Sequence, residues 1–492
     1  YTGHGGEVGW AHERVLEVAD INSWTNYDKM PVFMTATCEF SRYDDPRLQS
    51  AGELVFLNPK GGGIALFTTS RPTFGTPNFT LARSFYNVAL NPVDGGMPHL
   101  GDLIRISKLA AGADNNSKKF VLLGDPAMKM AYPELNVVTL EINGRDANET
   151  TDTLKALSEI SVSGMIADHQ GNRISDFNGI VIPAVYDKKN LVKTFGTDGS
   201  SPMTFSVQRN IIYKGKVNVV DGAFTFSFIV PRDIAYQFGV GKISYYATDG
   251  SRDASGYFTD LIVGGFSERE VEDMNGPDVS LYMNDTKFRS GGFTDQNPVM
   301  LAYVEDLSGV NTIGNGIGHD IVAILDDQTD SPYILNDFYQ SDLNTYQSGF
   351  ITFPFHNLSL GRHTLRMKVW DVNNNSSEVT TEFIVAGSDG LTLGRFDAWP
   401  NPMKENITFE FEHNQAGQEL IARLDIFTLP GSKAASLEKR IFAEGFRTTG
   451  FVWDGRGSDG HLLSNGFYIG SLSITTTTGL SSQKSVKVII AR

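Results

Sequence analysis

The sequence changes character close to Tyr132, and this change limits the folds open to the chain more than any other feature. Before it, patterns typical of buried strands alternate with patterns typical of helices. After it, short runs of β-branched and aromatic residues recur between turn residues for 360 residues (492 − 132). The alternation predicts an α/β layer with a parallel sheet, and the short runs are typical of β-sandwiches. We therefore expect a multidomain chain of α/β and all-β parts.

Strand and helix patterns in the first part are clear enough to assign. Apolar runs bounded by turn residues predict strands at 31–37, 64–69 and 120–123. Helical spacing predicts helices at about 12–20, 46–58, 79–90 and 100–111. Asp45 is expected to cap the second helix, with Pro46 in its first turn. Sites in such layers lie at the carboxyl ends of strands, which is where Cys38 follows the first strand.

Turn-rich breaks divide the expected domains. The predicted boundaries are 1–132 for the α/β part, then 133–265, 266–387 and 388–492 for three Ig-like β-sandwich modules. Only a weak helical pattern at 152–158 interrupts the β texture. Tyr1 lies in the middle of a motif, so we expect the chain to be a piece of a longer protein.

Charge and composition exclude some functions. The net charge is −16, from 41 basic and 57 acidic residues, so a nucleic-acid partner is not expected. The sequence has no apolar run of about 18 residues, the length that predicts a membrane-spanning helix. Cys38 is the only cysteine, so no disulfide can form within the chain.

His4 and Cys38 are the candidate catalytic pair. A lone cysteine with a histidine elsewhere in the chain is a candidate nucleophile and base. The thiolate is the attacking form, and a neighbouring imidazolium or helix N-terminus favours it. The N–H groups of Gly5 and Cys38 are the candidate donors to an oxyanion. The competing interpretation, which these residues leave open, is an inert core thiol and a histidine that caps a turn.

Several motifs before Tyr132 resemble gingipain-type cysteine peptidases of the caspase-like clan. Residues 1–10, YTGHGGEVGW, resemble their histidine loop, and the strand that ends at Cys38 resembles their nucleophile strand. Residues 65–70 and the LLGDP turn at 122–126 resemble later strands of the same catalytic domain. The resemblance covers about residues 1–132 and implies the C-terminal part of that domain.

The resemblance implies roles for individual residues. His4 would be the general acid and base, Cys38 the nucleophile, and Gly5 part of the oxyanion hole. Glu7, Trp10 and Glu39 are candidate substrate-binding residues, although Trp10 can equally be a core residue. The chain departs from the family after the cysteine, where residues 39–41 read EFS instead of a small residue, Asn and Gly. The family's acidic partner of the histidine would precede residue 1.

A second resemblance concerns the C-terminal half. Residues 399–402 (WPNP), 451–460 (FVWDGRGSDG) and 463–468 (LSNGFY) resemble the sorting domain of type IX secretion cargo. Residues 305–311 (EDLSGVN) resemble a segment of the signal peptidases of that system. The combination implies a sortase that removes C-terminal sorting domains from cargo and links the new C-terminus to anionic lipopolysaccharide. It would act at the outer face of the outer membrane of a Gram-negative bacterium.

The same resemblance implies partners and leaves alternatives open. A barrel of the PorV type would bind the C-terminal domain, and subunits of the PorQ and PorZ types would complete the complex. A plain secreted gingipain-type protease and a non-catalytic adhesin are the alternatives. No cofactor is implied for catalysis. Residues 371–375 (DVNNN) have calcium-like spacing, so a structural calcium is a further hypothesis, against an ordinary turn.

Overall fold

A computed structural model describes residues 1–93, 95–112, 114–149, 153–197, 199–267, 273–313, 318–387 and 390–492. The chain forms two compact units, Tyr1–Pro133 and Glu134–Arg492. The division of the second unit into three modules stays a prediction. Its last boundary falls on residue 388, which lies outside the described residues. None of the described helices is long and apolar enough to cross a membrane.

The first unit combines helices with two three-stranded sheets. One sheet contains β1 (Gly5–Gly6), β2 (Gly9–Trp10) and β3 (Leu16–Glu17), and the other contains β4 (Val32–Met34), β5 (Ala65–Thr69) and β6 (Phe120–Leu123). The second sheet is mixed: β4 and β5 are parallel, as expected, but β6 runs antiparallel to β5. Two helices lie between β5 and β6, and after them the chain re-enters the sheet in the opposite direction.

Four helices accompany the strands of this unit, and the two longer ones confirm the helical spacing of apolar residues predicted from the sequence. They are α1 (Val18–Ser23), α2 (Ala51–Leu57), α3 (Gly75–Ala89) and α4 (Leu100–Ala110), with 3₁₀ turns at Tyr27–Lys29 and Ser117–Lys119. The inner face of α3 is formed by residues at helical spacing, namely Asn78, Leu81, Ala82, Phe85 and Ala89. Phe79 and Tyr86, two further apolar residues of the same helix, are exposed.

The predicted start of the second helix at Asp45 is wrong. Arg47 binds the Asp45 carboxylate through its guanidinium, at 2.6 and 2.9 Å, and through its backbone N–H. This contact holds the pKa of Asp45 well below its usual range. The helix begins instead at Ala51, where Ser50 and Glu53 form a capping box. The expected helix at 12–20 is also displaced, because Ala11 and Arg14 have left-handed φ angles of 60° and 56°.

The second unit consists of β-sheets, as the texture after Tyr132 predicted. Its first strands form a nine-stranded sheet, a three-stranded sheet and a separate hairpin. The nine strands are Leu135–Ile142, Arg145–Asp146, Glu159–Ala167, Gly179–Tyr186, Ile211–Lys214, Val217–Val219, Ala223–Ile229, Lys242–Thr248 and Asp253–Phe258. The three-stranded sheet contains Thr153–Ala156, Gly239–Val240 and Ile262–Phe266, and the hairpin contains Asn190–Lys193 and Thr204–Val207. The expected helix at 152–158 is therefore wrong over 153–156, and residue 152 lies outside the described residues.

Two further pairs of sheets complete the chain. The strands of one pair are Asp278–Met283, Val299–Glu305, Tyr339–Ser341 and Ser348–Pro354, facing Gly292–Thr294, Val322–Leu325, Tyr333–Ile334, Gly361–Trp370 and Ser376–Val385. The strands of the other are Leu393–Trp399, Ile407–His413 and Arg447–Trp453, facing Gln418–Thr428, Lys433–Ala443, Gly466–Thr476 and Ser481–Ile490. Each pair shares one apolar core with residues from both sheets, so each is a β-sandwich.

Candidate active site

His4 and Cys38 lie on adjacent parallel segments in the same register. Thr2 forms a parallel bridge with Ala36, supported by the bonds from Gly3 N to Ala36 O (3.3 Å) and from Ala36 N to Tyr1 O (2.8 Å). His4 and Cys38 each follow this bridged pair by two residues, so the bridge brings the two segments that carry them side by side. No hydrogen bond joins the imidazole to the sulfur within the described part of the chain. Their catalytic roles stay a prediction.

The histidine loop leaves the Gly5 N–H free of its own hairpin. Ala11 N donates to His4 O at 2.8 Å, which makes Gly5 and Trp10 a non-hydrogen-bonded pair of the β1–β2 hairpin. The Gly5 N–H therefore points away from β2, toward the side of the Thr2–Ala36 ladder. A Cβ at Gly5 would lie 2.5 Å from the Thr37 hydroxyl, so this position requires glycine. The Gly5 N–H is thus not used within the hairpin, and its role as an oxyanion donor stays a prediction.

The sulfur of Cys38 is half-buried, and its hydrogen-bond partner among the described residues is Thr73. The Thr73 N–H donates to Sγ at 3.3 Å, and the hydroxyl lies 3.8 Å from it. The Thr73 carbonyl lies at 3.5 Å, where it can accept the proton of the neutral thiol. The Cys38 N–H donates to no described residue, so it too can serve an oxyanion. Sequence reasoning missed Thr73 altogether.

A buried amide network fixes Thr73. Its hydroxyl donates to Thr37 O at 3.0 Å and accepts from Asn78 Nδ2 at 2.8 Å. Asn116 Nδ2 donates to Asn78 Oδ1 at 2.9 Å, and Asn116 Oδ1 accepts from Phe74 N at 2.9 Å. The asparagines are only 4% and 5% exposed, so these bonds are shielded from water. The network joins the start of α3 and the loop before β6 to the nucleophile.

Glu7 and Glu39 share a cation. Arg42 Nη1 lies 2.6 Å from the Glu7 carboxylate and 3.3 Å from that of Glu39, and all three side chains are partly buried. Glu39 has a left-handed φ of 50°, which turns the chain directly after the cysteine. Arg42 had not been given a part in the site. The structure couples it to both predicted substrate-binding acids.

Trp10 is partly buried in the histidine loop, where it packs against the core and also lines a groove. Its ring stacks on Tyr1 with centroids 4.6 Å apart and packs on Phe40 at 5.4 Å. Its indole N–H is buried without a partner among the described residues. An open groove of about 550 Å³ borders the same loop, lined by residues between His4 and Glu17. This groove contains a second imidazole, His12, 6.2 Å from that of His4.

The N-terminus of α2 connects the two catalytic loops. Ala51 N donates to Glu7 O at 2.7 Å, in the histidine loop. Gly52 N donates to Phe40 O at 2.8 Å, in the cysteine loop. These are N–H groups that a helix leaves unpaired in its first turn. The helix terminus therefore holds the two loops together. Its N–H groups donate to these two carbonyl oxygens and not to the Cys38 sulfur. A helix N-terminus beside the thiolate, which the helix predicted at 46–58 could have supplied, is therefore not formed by α2.

Three carboxylates in the second unit form a candidate cation site. Ligand oxygens of Asp273, Asp306 and Asp371 lie within 4.8 Å of one another. Burial, and then the other two charges, raise the pKa of Asp306 to about 6. Asp371 Oδ1 accepts the N–H groups of Asn373 and Asn375, as in an ordinary Asx turn. The oxygen set suits Ca²⁺ chemically, although Asp371 is the only carboxylate within the predicted 371–375 motif.

Comparison with known proteins identifies the first unit. Residues 1–131 match the sequence profile of peptidase family C25. The chain is similar to dimeric latent PorU from Porphyromonas gingivalis, with 30% identity and a TM-score of 0.35 over 88% of this chain and 41% of that one. It is also similar to the complex of Porphyromonas gingivalis RgpB pro- and mature domains, with 12% identity and a TM-score of 0.24 over 52% of this chain and 53% of that one.

These similarities are partial. The chain spans 41% of the length of the PorU chain that it matches. Among curated protein sequences, none matches this chain. The profile match contains both His4 and Cys38 and ends close to the boundary of the first compact unit. Residues 1–131 are thus similar to peptidase family C25, a family of cysteine peptidases.

Proposed function

We propose that this chain is a cell-surface cysteine endopeptidase that also acts as a transpeptidase of the sortase type. The observation that carries the proposal is the bridge between Thr2 and Ala36, which brings the segments of His4 and Cys38 side by side within the residues that match peptidase family C25. A nucleophile and a base side by side at the ends of strands are what acyl transfer requires. The reaction needs no cofactor, because sulfur and imidazole supply the nucleophile and the acid–base group.

The first step forms a thioester. The Cys38 thiolate attacks the carbonyl carbon of the cargo peptide, and the Gly5 and Cys38 N–H groups donate to the oxygen that becomes negative. The C–N bond then breaks, and the His4 imidazolium gives its proton to the leaving amine. Before the attack, the Thr73 N–H stabilises the thiolate with a charge-assisted hydrogen bond.

The second step decides between transfer and hydrolysis. An incoming amine attacks the thioester carbonyl, His4 takes its proton, and the C–S bond breaks to return the Cys38 thiolate. Water in place of the amine gives a free carboxylate. In the proposed function the amine belongs to anionic lipopolysaccharide, and the severed amine belongs to the sorting domain of a type IX cargo protein.

The partners follow from the C-terminal motifs. Residues 399–402, 451–460 and 463–468 support a sorting-type domain, which would bind an outer-membrane barrel of the PorV type. Attachment subunits of the PorQ and PorZ types would join this complex at the outer face of the outer membrane. The WPNP segment lies against the last strand through the bonds from Met403 N to Ile489 O and from Asn401 Nδ2 to Lys487 O.

The test is Cys38→Ala in the intact cell, with the mass and location of secreted cargo as the readout. The proposal predicts that cargo crosses the membrane, keeps its sorting domain and loses its lipopolysaccharide-linked form. His4→Ala should behave likewise, whereas His12→Ala, the matched control in the same groove, should leave processing intact. Normal processing in the Cys38 variant would eliminate the enzymatic proposal. Cargo cleaved normally by the wild type without lipid linkage would support the plain protease.

A further inference from the structure

A separate two-stranded hairpin carries exposed apolar side chains. Strands Asn190–Lys193 and Thr204–Val207 pair with each other and with no other described strand. Such a hairpin is marginally stable by itself in water, so it gains most of its support from what its faces contact. The question is therefore what each face contacts.

The two faces of the hairpin differ. The register pairs Val192 with Phe205 and Leu191 with Ser206, which assigns them to opposite faces. The Val192 face borders a cavity of about 480 Å³ within the second unit. The Leu191 face and the tip point outward, where Leu191 is 78%, Phe195 97% and Met203 64% exposed. Large apolar side chains grouped on one projecting element are typical of an interaction surface.

The hairpin and its base are basic in an acidic protein. Between residues 188 and 207 the sequence has three Lys and one Asp, a net charge of +2 (3 − 1), whereas the whole chain carries −16. Lys188 is paired with Asp187 at 2.7 Å. Lys189, Lys193 and Arg209 are exposed and form no ion pair with any residue that the structure describes. Lys193 shares the outward face with Leu191.

We propose that this hairpin is a docking element for an anionic lipid bilayer. Leu191, Phe195 and Met203 enter the boundary between headgroups and acyl chains, while Lys189 and Lys193 contact the lipid phosphates. A bilayer fits because the apolar side chains lie on a projecting tip with cations beside them. The bilayer interface can take up such side chains without a complementary pocket, and its anionic headgroups attract the cations. The inference uses no catalytic residue and is independent of the proposed function.

The test is sedimentation of the full chain with vesicles. Phosphatidylcholine vesicles containing phosphatidylglycerol should bind the protein, and high salt should weaken the binding, whereas vesicles of phosphatidylcholine alone should bind at least about tenfold more weakly. Phe195→Ser should weaken binding by about tenfold, the effect expected for one buried apolar side chain. Lys189→Gln with Lys193→Gln should weaken it by about 30-fold.

Matched variants distinguish vesicle binding by the hairpin from nonspecific binding by exposed apolar side chains elsewhere. Leu429→Ser removes an apolar side chain that is 65% exposed elsewhere in the second unit, and it should leave vesicle binding unchanged. Because the tip side chains are exposed, Phe195→Ser should also leave the melting temperature unchanged. No binding to anionic vesicles, equal binding to neutral ones, or equal losses for Phe195→Ser and Leu429→Ser would each overturn the proposal. An acidic protein that binds the hairpin while vesicles do not would overturn it as well.

Discussion

Replacing Thr73 by valine should loosen the segment that holds Cys38. Valine keeps the shape of the side chain and replaces the hydroxyl by a methyl group. The change deletes the 3.0 Å bond to Thr37 O and leaves Asn78 Nδ2 without its 2.8 Å acceptor. Asn78 is 4% exposed, so water cannot replace the lost acceptor.

The expected cost combines two effects. One lost hydrogen bond contributes about 1 kcal/mol, and an orphaned buried amide costs about 1–3 kcal/mol more. The sum is about 2–4 kcal/mol against local opening at the start of α3. Since about 1.4 kcal/mol is a factor of ten, this corresponds to roughly 30- to 1000-fold faster amide exchange there.

Hydrogen exchange read by mass spectrometry on the full chain measures this directly. Peptides covering the first turns of α3 should exchange faster in Thr73→Val, whereas peptides of the second unit should not change. Thr73→Ser keeps the hydroxyl and is the matched control, so it should resemble the wild type. If valine leaves the α3 peptides unchanged, or if serine accelerates them as much as valine does, the network does not hold the site.

Three further predictions concern packing and pH. Gly52→Ala should destabilise the first unit by about 1–3 kcal/mol, because a Cβ would lie 1.8 Å from Ser41 Oγ. The control Gly75→Ala places its Cβ in open space and should not destabilise the unit. Thermal unfolding of both variants measures the difference. The pKa of Asp306 is raised to about 6, so its protonated form stabilises the fold below pH 4, and this stability is lost as the pH rises through 6. In the presence of a chelator, Asp306→Asn should therefore have a higher melting temperature than the wild type at pH 7 and the same melting temperature at pH 4. Burial lowers the pKa of His413 to about 4, so the stability of its neutral form is present above pH 6.5 and lost as pH falls through 4. A pH titration of unfolding should show this acid loss in the wild type and a smaller one in His413→Gln.

Sequence patterns predicted the elements that are determined by residues close together in the sequence. The spacing of apolar residues located α3 and α4 within a few residues of their observed ends, because both helices bury one face at helical period. Capping chemistry failed at Asp45 because Arg47, only two residues away, competes for the same carboxylate. The direction of β6 was equally hidden, since it depends on how two intervening helices pack.

In the site, too, the residues within motifs could be predicted, and the contacts between residues far apart in the sequence could not. Residue type and motif singled out His4 and Cys38, and Gly5 follows from its place in the loop. Thr73 contacts the sulfur across a separation of 35 residues, and Asn116 reaches the network from another 43 (116 − 73) further on. No periodicity encodes such contacts, so a single sequence could not supply them.

Labelling of Cys38 by a peptidyl electrophile tests the pairing of the Cys38 nucleophile with the His4 base in one reaction. Intact mass should show one label on the wild type and none on Cys38→Ala. We expect His4→Ala to slow labelling by about 10²–10⁴-fold, the range of general acid–base catalysis, and His12→Ala to leave the rate unchanged. An unlabelled Cys38, or equal rates in the wild type and His4→Ala, would contradict this pairing.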